Sequence, residues 1–409
     1  MPASNTFRLA EPGEGETILR VTSSAFGREP GSTKYERDRE RIEAHLNEYY
    51  VVCEGEAIVG ALHVSLDDIR VGRSIVTKAE VGEVAIVAER HGQGLGSSMM
   101  SAIVATLKAD GIHLSRLGGY RRFYERFGWV PFPRGYVDFA LSGLTSRGGF
   151  TDPVTYLDRP DEDAKIRPYD GSRDTEACAD LYRAFNRSRT GARAGKTFSR
   201  SSDDPWRIVY EDERTVLAYL FASENPPPHT RLTSAVSIQD AACDPDRPAA
   251  LGEVIRYTLR RASMAGAATV SARLPLDPSL YDLYRDSSTG FVPSLWQSSE
   301  GGNMLQVLNL RLLMEAVRVT LEARLRGTDV EEGDVSIDVH DQVVSVSWRG
   351  GKLRVSDVVS DTIALSQEGF FRLLLGLTAV EQVIADPSAG RGLLAAMFPV
   401  QGTATGIWG

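Results

Sequence analysis

The chain has 409 residues, of which 42% are hydrophobic and 25% charged, a composition typical of a soluble protein with roughly two to four domains. Its formal net charge of −9 argues against nucleic acid or an anionic membrane as a partner and suits a cationic substrate. Three cysteines far apart in sequence exclude a disulfide framework, no histidine motif indicates a metal site, and the lack of a signal peptide or long apolar run predicts a cytoplasmic protein.

The start of the chain predicts a helix followed by a meander of antiparallel strands. Glu54-Gly55-Glu56 separates two alternating runs and predicts a hairpin turn. The predicted segments are the strand Thr6–Leu9, the helix Glu14–Phe26, and strands over Tyr49–Cys53, Ala57–Val64, Asp67–Val71, Ser74–Val76 and Ala79–Val87.

The meander leads into a glycine-rich turn and then a helix. The turn is His91-Gly92-Gln93-Gly94-Leu95-Gly96, and the helical pattern continues from Ser97 to Leu107. Glycines allow a sharp turn that leaves backbone amides uncovered, and the first turn of a helix has N–H groups without partners. The stretch therefore predicts a site for a phosphate or pyrophosphate. The alternative is a turn that opens the helix and binds nothing.

Two common nucleotide-binding motifs fit this turn poorly. A P-loop needs a lysine before the Ser or Thr at the helix start, whereas Ser97 follows Gly96 directly. A dinucleotide-binding fold needs an early βαβ unit, whereas this turn follows several antiparallel strands.

The segment after the helix predicts a strand over Ile112–Leu117, parallel to the strand before the glycine turn. Gly118-Gly119 ends that strand, and a helix with Tyr120, Phe123, Tyr124 and Phe127 precedes Gly128-Trp129. Tyr124 has two interpretations: a core aromatic residue or a proton donor.

The same order of features recurs about 160 residues later, which indicates a duplicated domain. Leu251-Gly252 opens a helix, Thr269–Leu274 is a strand, and Leu283-Tyr284 precedes Gly290-Phe291. The segment before this second helix has prolines and acids in place of the glycines, namely Asp244, Pro245, Asp246 and Pro248. Proline lacks an N–H donor and a carboxylate repels an anion, so the second copy is expected to lack the phosphate site.

A third pattern begins near Asn303 and predicts a mixed α+β domain. It includes strands over Val335–Val339 and Val343–Trp348 and an apolar helix over Ser366–Leu377. That helix is interpreted as buried core, with a lipid pocket as the alternative. The predicted domain limits are 1–160, 161–302 and 303–409.

These residues resemble a known family. A meander, a glycine turn of the form R/Q-x-x-G-x-G/A at a helix start, a further strand and a following tyrosine are the pattern of GNAT N-acetyltransferases. The tandem arrangement with a third domain resembles the enhanced-intracellular-survival (Eis-like) branch. The resemblance implies an α/β (α+β) protein of two tandem GNAT folds, each a mixed, mostly antiparallel sheet with a splayed central strand pair, followed by a sterol-carrier-protein-like domain.

The resemblance also implies roles for individual residues. Amides of the glycine turn would bind the pyrophosphate of acetyl-CoA, strand residues would pair with its pantetheine arm, Tyr124 would be the general acid, and the terminal carboxylate of Gly409 would be the general base. The implied cofactor-binding residues are Val84, Ala85, Ile86, Gly92, Gln93, Gly94, Leu95, Gly96, Ser97, Gly119 and Tyr120. His91 stands where the family usually has Arg or Gln, which predicts weakened phosphate binding with assistance from Arg90.

The implied reaction is transfer of an acetyl group to a primary amine of a small cationic acceptor, aminoglycoside-like or another polyamine, by direct attack and without a metal. A neutral amine must attack the thioester and the thiolate must be protonated, so no cysteine nucleophile is needed and Cys53 is expected to be a packing residue. The resemblance further implies a homo-oligomer, commonly a hexamer. The alternative is a non-catalytic protein that binds a ligand or lipid.

Overall fold

The computed structural model describes residues 5–141, 143–144, 150–198, 204–224, 236–358, 362–385 and 390–401. Within these residues, two sheets have seven strands each, a third has four, and two short strands pair separately.

The first part of the chain supplies strands β1 to β7 and helices α1 to α4. Helix α3 buries Met99, Met100, Ile103 and Leu107 against the sheet, which is the face that the apolar spacing predicts. The elements are β1 (Asn5–Leu9), α1 (Gly15–Phe26), α2 (Thr33–Ala44), β2 (Tyr49–Glu54), β3 (Ala57–Val71), β4 (Ser74–Ile86), α3 (Leu95–Ala109), β5 (Leu114–Tyr120), α4 (Arg121–Tyr124), β6 (Val130–Pro131) and β7 (Arg134–Ala140).

The second part repeats this plan after a connecting segment. Helix α8 follows β13 as α3 follows β4, and its apolar face, including Val254, Ile255 and Leu259, is buried. The elements are β8 (Gly143–Leu144), β9 (Phe150–Thr151), α5 (Pro153–Tyr156), α6 (Pro160–Asp163), β10 (Ile166–Pro168), α7 (Thr175–Phe185), β11 (Arg207–Asp212), β12 (Thr215–Glu224), β13 (Val236–Cys243), α8 (Ala249–Met264), β14 (Thr269–Ala272), α9 (Tyr281–Asp286) and β15 (Phe291–Trp296).

The remainder builds a smaller sheet with order β19-β18-β17-β20, covered by helices. Its core also includes Ile69, Val71 and Val76 from the long β3–β4 hairpin, so this part packs on the first sheet. The elements are β16 (Gly301–Val307), α10 (Leu310–Leu325), β17 (Gly333–Val339), β18 (Gln342–Arg349), β19 (Lys352–Ser356), β20 (Thr362–Leu365), α11 (Gln367–Leu374), α12 (Val380–Val383) and α13 (Arg391–Met397).

The two large sheets have the same topology. The first has the order β1-β2-β3-β4-β5-β16-β6 and the second β10-β11-β12-β13-β14-β7-β15. In each sheet the only parallel pair among the described strands is the central one, β4 with β5 and β13 with β14. The predicted fold class, mixed and mostly antiparallel sheets in tandem followed by an α+β part, is therefore confirmed.

Each large sheet takes its sixth strand from the other half of the chain. Strand β7 lies between β14 and β15 of the second sheet, and β16 lies between β5 and β6 of the first. The predicted domain limits 1–160, 161–302 and 303–409 stay a prediction. Strand β7 precedes residue 161 but pairs in the second sheet, and β16 follows residue 300 but pairs in the first. The physical reason is that alternation of apolar residues marks a strand without identifying its partner.

No helix within the described residues combines the length and apolar character needed to cross a membrane.

Candidate functional site

The two central strands of the first sheet separate part-way along their length. Strands β4 and β5 pair from Lys78 with Leu114 to Val81 with Leu117, and no pairing between them is present beyond that point in the described residues. On its other edge β4 continues to pair with β3 as far as Ile86. The strands therefore open a gap in which one edge of the β4 backbone, from Gly82 to Ile86, is left without a strand partner.

A bulge at Glu83 accompanies this separation. Glu83 has a φ of 51°, which is unusual for a residue with a side chain, and the register of β4 against β3 shifts here. Its carboxylate accepts hydrogen bonds of 2.6 Å from Arg28, 2.6 Å from Arg41 and 2.8 Å from the Tyr49 hydroxyl. These contacts hold the bulge in place.

The same contacts fix the charge of Glu83. Burial alone would raise its pKa, but the hydrogen bonds and positive charges of Arg28 and Arg41 outweigh burial and lower the pKa below the ordinary value. Glu83 is thus an ionised, fully engaged carboxylate and a poor proton acceptor.

The helix beyond the gap begins with uncovered amides. Gly92 and Gly94 have φ values of 74° and 81°, and a side chain at either position would meet open space. The first helical hydrogen bond runs from the Ser98 amide to the Gly94 carbonyl at 3.0 Å, so the amides of Leu95, Gly96 and Ser97 precede the hydrogen-bonded part of the helix. No side chain caps this end. Such an end attracts an anion.

A cavity of about 570 Å³ joins the strand gap to the helix start. It collects most of the sequence-predicted cofactor residues together with Tyr124, and adds Phe123 and Arg126, which sequence reasoning missed. Its lining residues are Val84, Ala85, Ile86, Arg90, His91, Gly92, Gly94, Leu95, Gly96, Ser97, Phe123, Tyr124 and Arg126.

Three predicted cofactor residues lie off the cavity wall. The Gln93 side chain donates to the Glu89 carbonyl at 3.1 Å and closes the turn. Tyr120 is 80% exposed. Gly119 touches the site indirectly, because a side chain there would overlap the Tyr124 ring. Gly409 lies outside the described residues.

The two charged residues beside the glycine turn are already engaged. The His91 ring lies 2.9 Å from the Ile86 carbonyl oxygen, and the Arg90 guanidinium donates to Glu54 at 2.9 Å through Nε. Arg126 stacks on Phe123, with 5.0 Å between its guanidinium carbon and the ring centroid. This arginine lines the cavity without a carboxylate partner among the described residues, and its sequence context, between Glu125 and Phe127, gave no signal for that role.

Tyr124 is the polar side chain at the strand end of the cavity. Its ring packs edge-on to Phe123 with centroids 4.9 Å apart, and its hydroxyl makes no hydrogen bond to any described residue. Burial raises the pKa of Tyr124, so the hydroxyl stays protonated at neutral pH. The residue is a proton donor without an acceptor among the described residues.

The second copy closes the equivalent place. Tyr284 is 0% exposed and donates its hydroxyl to the Pro275 carbonyl at 2.9 Å, directly beyond β14. At the start of α8 the first amides are occupied by the turn: Ala250 and Leu251 donate to the carbonyls of Arg247 and Pro248 at 3.1 and 3.0 Å. The second copy therefore lacks both the free hydroxyl and the open helix start.

The histidines, acids and cysteines of the described residues are placed as follows. No group of three or more His, Cys, Asp or Glu side chains there is placed to hold a metal ion. The three cysteines are buried, and burial raises the pKa of Cys178 and of Cys243 to about 12, which keeps both as thiols.

Comparison with known proteins agrees with this geometry. Residues 6–132 match the model of the acetyltransferase (GNAT) domain family. None of the curated proteins matches the sequence.

Several solved structures share the fold over nearly the whole chain. A probable N-acyltransferase from Enterococcus faecalis V583 superposes with a TM-score of 0.70 at 14% identity, over 98% of each chain. A GCN5-related N-acetyltransferase from Anabaena variabilis gives 0.67 at 13%, also over 98% of each chain. Eis1 from Mycobacterium abscessus gives 0.58 at 16%, over 98% of this chain and 100% of the other. At these identities the likeness concerns the fold, whereas the family match identifies an acetyltransferase domain.

Proposed function

We propose that this acetyltransferase moves the acetyl group of acetyl-CoA to a primary amine of a small acceptor at the gap between β4 and β5. The observation that carries the proposal is the contrast between the two copies. In the first, an open helix start, an unpaired strand edge and an unpartnered tyrosine hydroxyl line one cavity. In the second, the tyrosine hydroxyl and the first helix amides donate hydrogen bonds to backbone carbonyls of the protein.

Each part of the cavity suits one part of acetyl-CoA, the acetyl donor. The pyrophosphate is anionic and matches the amides of Leu95, Gly96 and Ser97. The pantetheine arm carries amides that suit the free backbone edge of Val84 to Ile86, although the Ile86 carbonyl is already near His91. The thioester then lies toward Tyr124.

The chemistry is direct attack. The neutral amine adds to the thioester carbonyl, the C–S bond breaks, the amine nitrogen loses a proton to a base and the thiolate gains one from Tyr124. No cysteine is positioned to form a covalent intermediate, since Cys53, Cys178 and Cys243 are buried.

The reaction also needs a base for the proton that the amine loses. We propose the terminal carboxylate of Gly409 for this role. The Gln401 amide donates to the Gly376 carbonyl at 3.0 Å, just beyond the end of α11. At the other end of α11, the Gln367 side chain donates to the Gly128 carbonyl, four residues after Tyr124 in the sequence. Residues 402–409 would span at most about 28 Å when extended. That reach exceeds the length of α11, which is about 12 Å for its eight residues.

A peptide tag added after Gly409 is expected to lower kcat by about tenfold or more, because the carboxylate would be replaced by an amide. The same tag placed before Met1 is the matched control and should leave kcat unchanged. Steady-state kinetics of both proteins decide the point. Equal activity of the two would remove Gly409 from the mechanism.

The sequence predicts a positively charged acceptor, as in aminoglycosides or other polyamines. Two carboxylates near the strand gap are already paired with cations of the protein: Glu83 with Arg28 and Arg41, and Glu80 with Lys78 and Arg116. The primary amine therefore stands as the proposed acceptor group, and a polyamine acceptor stays a prediction. The homo-oligomer, a hexamer by resemblance, and the lack of nucleic-acid or membrane partners also stay predictions.

The alternative is a non-catalytic binding protein, which would need a ligand pocket elsewhere. The sequence offers the apolar helix α11 as its candidate, but Phe370, Phe371, Leu373 and Leu374 are 0% exposed within one hydrophobic core. That packing fits the core interpretation.

Release of free CoA, measured with a thiol reagent, separates the two functions. We expect thiol release from acetyl-CoA that depends on an added amine, across a panel of monoamines, diamines, amino acids and aminoglycosides. The control is the same panel without protein. Tight acetyl-CoA binding without thiol release for any amine would support the binding protein instead.

A further inference from the structure

Three arginines lie near one another where the two large sheets join, since the positive charges of Arg116 and Arg273 both act on Arg134. Arg116 is on β5, Arg134 begins β7, and Arg273 directly follows β14. The strand exchange brings them together: Leu305 of β16 pairs with both Arg116 and Val130, and the chain then passes through β6 into β7 in the second sheet.

Hydrogen bonds to Asn303 of β16 connect this strand to Arg116 of β5 and to the segment before β7. Asn303 accepts from the Arg116 Nε at 2.7 Å, and its backbone carbonyl accepts from the Phe132 amide at 2.9 Å, two residues before Arg134. On the other side, Ala272 pairs with Val137, so Arg273 lies opposite the residues that follow Arg134 in β7.

The positive charge of this cluster is only partly balanced. Arg116 forms an ion pair with Glu80, but Glu80 also binds Lys78, which is 0% exposed, at 2.8 Å. A further carboxylate, Asp67, is 3.2 Å from Arg193 and 4.0 Å from Lys78. Asp138 of β7 accepts hydrogen bonds from the Ser271 and Ser294 hydroxyls at 2.6 and 3.1 Å and forms no ion pair with a described residue.

Arg134 and Arg273 have no carboxylate within 4.0 Å among the described residues, and the Nε atom of each is buried without a hydrogen-bond acceptor there. Burial, with the positive charges of Arg116 and Arg273, lowers the pKa of Arg134, which the neighbouring Tyr136 phenol only partly offsets. Placing like charges together in a buried site costs stability unless an anion joins them. An oxyanion would satisfy the free Nε donors and the excess charge at once.

The cluster lies next to the proposed reaction site. Glu80 and Arg116 are in register one residue pair before the strands separate at Val81 and Leu117. At roughly 3.3 Å per residue, Arg116 is about 7 Å along the strand from Gly118, the first β5 residue beyond the last pair with β4. A small molecule can bridge that distance.

We propose that Arg134 and Arg273, supported by Arg116, bind an oxyanion of the acceptor, so that the acceptor is an amine that also carries a carboxylate or a phosphate. This inference rests on the proposed function for the identity of the reacting amine. It sets the acceptor apart from a polyamine, which the cluster would repel.

Matched acceptor pairs test the substrate class. ω-Amino carboxylates are compared with alkylamines of the same length, and phosphoethanolamine with ethanolamine, at saturating acetyl-CoA and constant ionic strength. We expect kcat/KM at least about tenfold higher for the anionic member of one pair, which also tells carboxylate from phosphate. Equal rates, or faster acetylation of the amines without an anion, would overturn the proposal.

Variants locate the effect. Arg134→Gln and Arg273→Gln should each bring the two members of the favoured pair to within about threefold while leaving the KM for acetyl-CoA unchanged. Arg134→Lys keeps the charge and should retain part of the preference. Arg20→Gln, an exposed position on α1, is the matched control. If the preference for the anionic acceptor were unchanged in both glutamine variants, Arg134 and Arg273 would not be the anion site.

A binding measurement separates this proposal from the proposed function. With CoA at saturation to fill the pyrophosphate site, glutarate or inorganic phosphate should raise the thermal unfolding midpoint of the wild type by about 2–4 °C relative to chloride of equal ionic strength. The shift should vanish in Arg134→Gln. Such a shift without acetylation of any amine would support the anion site and count against the acetyl transfer. No shift with either anion would overturn the site itself.

Discussion

Replacement of Tyr124 by phenylalanine is expected to lower kcat by at least about tenfold while leaving the affinity for acetyl-CoA nearly unchanged. The ring would still pack on Phe123 and against Gly119, so the shape of the cavity is preserved. Only the proton donor is removed. Since the hydroxyl makes no hydrogen bond to a described residue, its loss leaves no protein group without a partner. Steady-state kinetics and calorimetric titration with acetyl-CoA measure the two effects.

The pH profile gives the same experiment a second readout. Burial raises the pKa of Tyr124, so the group is protonated, and active as an acid, at all pH values below its ordinary range near 10. The wild-type kcat should therefore show no decline caused by this group as pH rises from 7 to about 9.5. The decline at higher pH, if reached before unfolding, should be missing in Tyr124→Phe.

Tyr284→Phe is the matched control, because Tyr284 occupies the same place in the second copy. Its buried hydroxyl donates to the Pro275 carbonyl, so removing it should reduce the free energy of unfolding by about 1–3 kcal/mol. The kcat should not change. A Tyr124→Phe protein with wild-type turnover would show that both tyrosines are structural and would remove the general acid from the mechanism.

The donor side of the site could be predicted because it is local in sequence. Strand, turn and helix follow one another from Val81 to Leu107, and glycine is needed where φ is positive, at Gly92 and Gly94. Most predicted cofactor residues consequently line one cavity. Periodicity does not specify side-chain directions within this stretch, such as that of the Gln93 side chain, which donates to the Glu89 carbonyl.

The parts that could not be predicted are those that depend on distant partners. The apolar alternation of Tyr136 to Leu141 identifies a strand, but not that it would pair with β14 of the second sheet. Arg134 and Arg273 are separated by more than a hundred residues and become neighbours only through this exchange. Likewise, the sequence gives Tyr124 and Tyr284 the same context, and only the structure distinguishes a free hydroxyl from a bonded one.

A carboxylate at the helix start should abolish most acetyl-CoA binding. Gly94→Asp is expected to raise the KM for acetyl-CoA by about 30- to 100-fold, because a negative charge about 5 Å from a doubly charged pyrophosphate costs roughly 2–3 kcal/mol at an intermediate dielectric. A side chain at Gly94 meets no atom within 4 Å, so the effect is electrostatic rather than steric.

Gly94→Asn separates charge from backbone strain. Both substitutions must adopt the φ of 81° at this position, which Asn and Asp tolerate better than most residues, so both pay the same conformational cost. Only Asp adds the charge. We therefore expect the KM of the Asn variant to rise less than about fivefold and the gap between the two variants to shrink as salt screens the repulsion. If Asn and Asp raised the KM equally, the amides of this turn would not be the pyrophosphate site, and the helix start would be an ordinary turn in both copies of the domain.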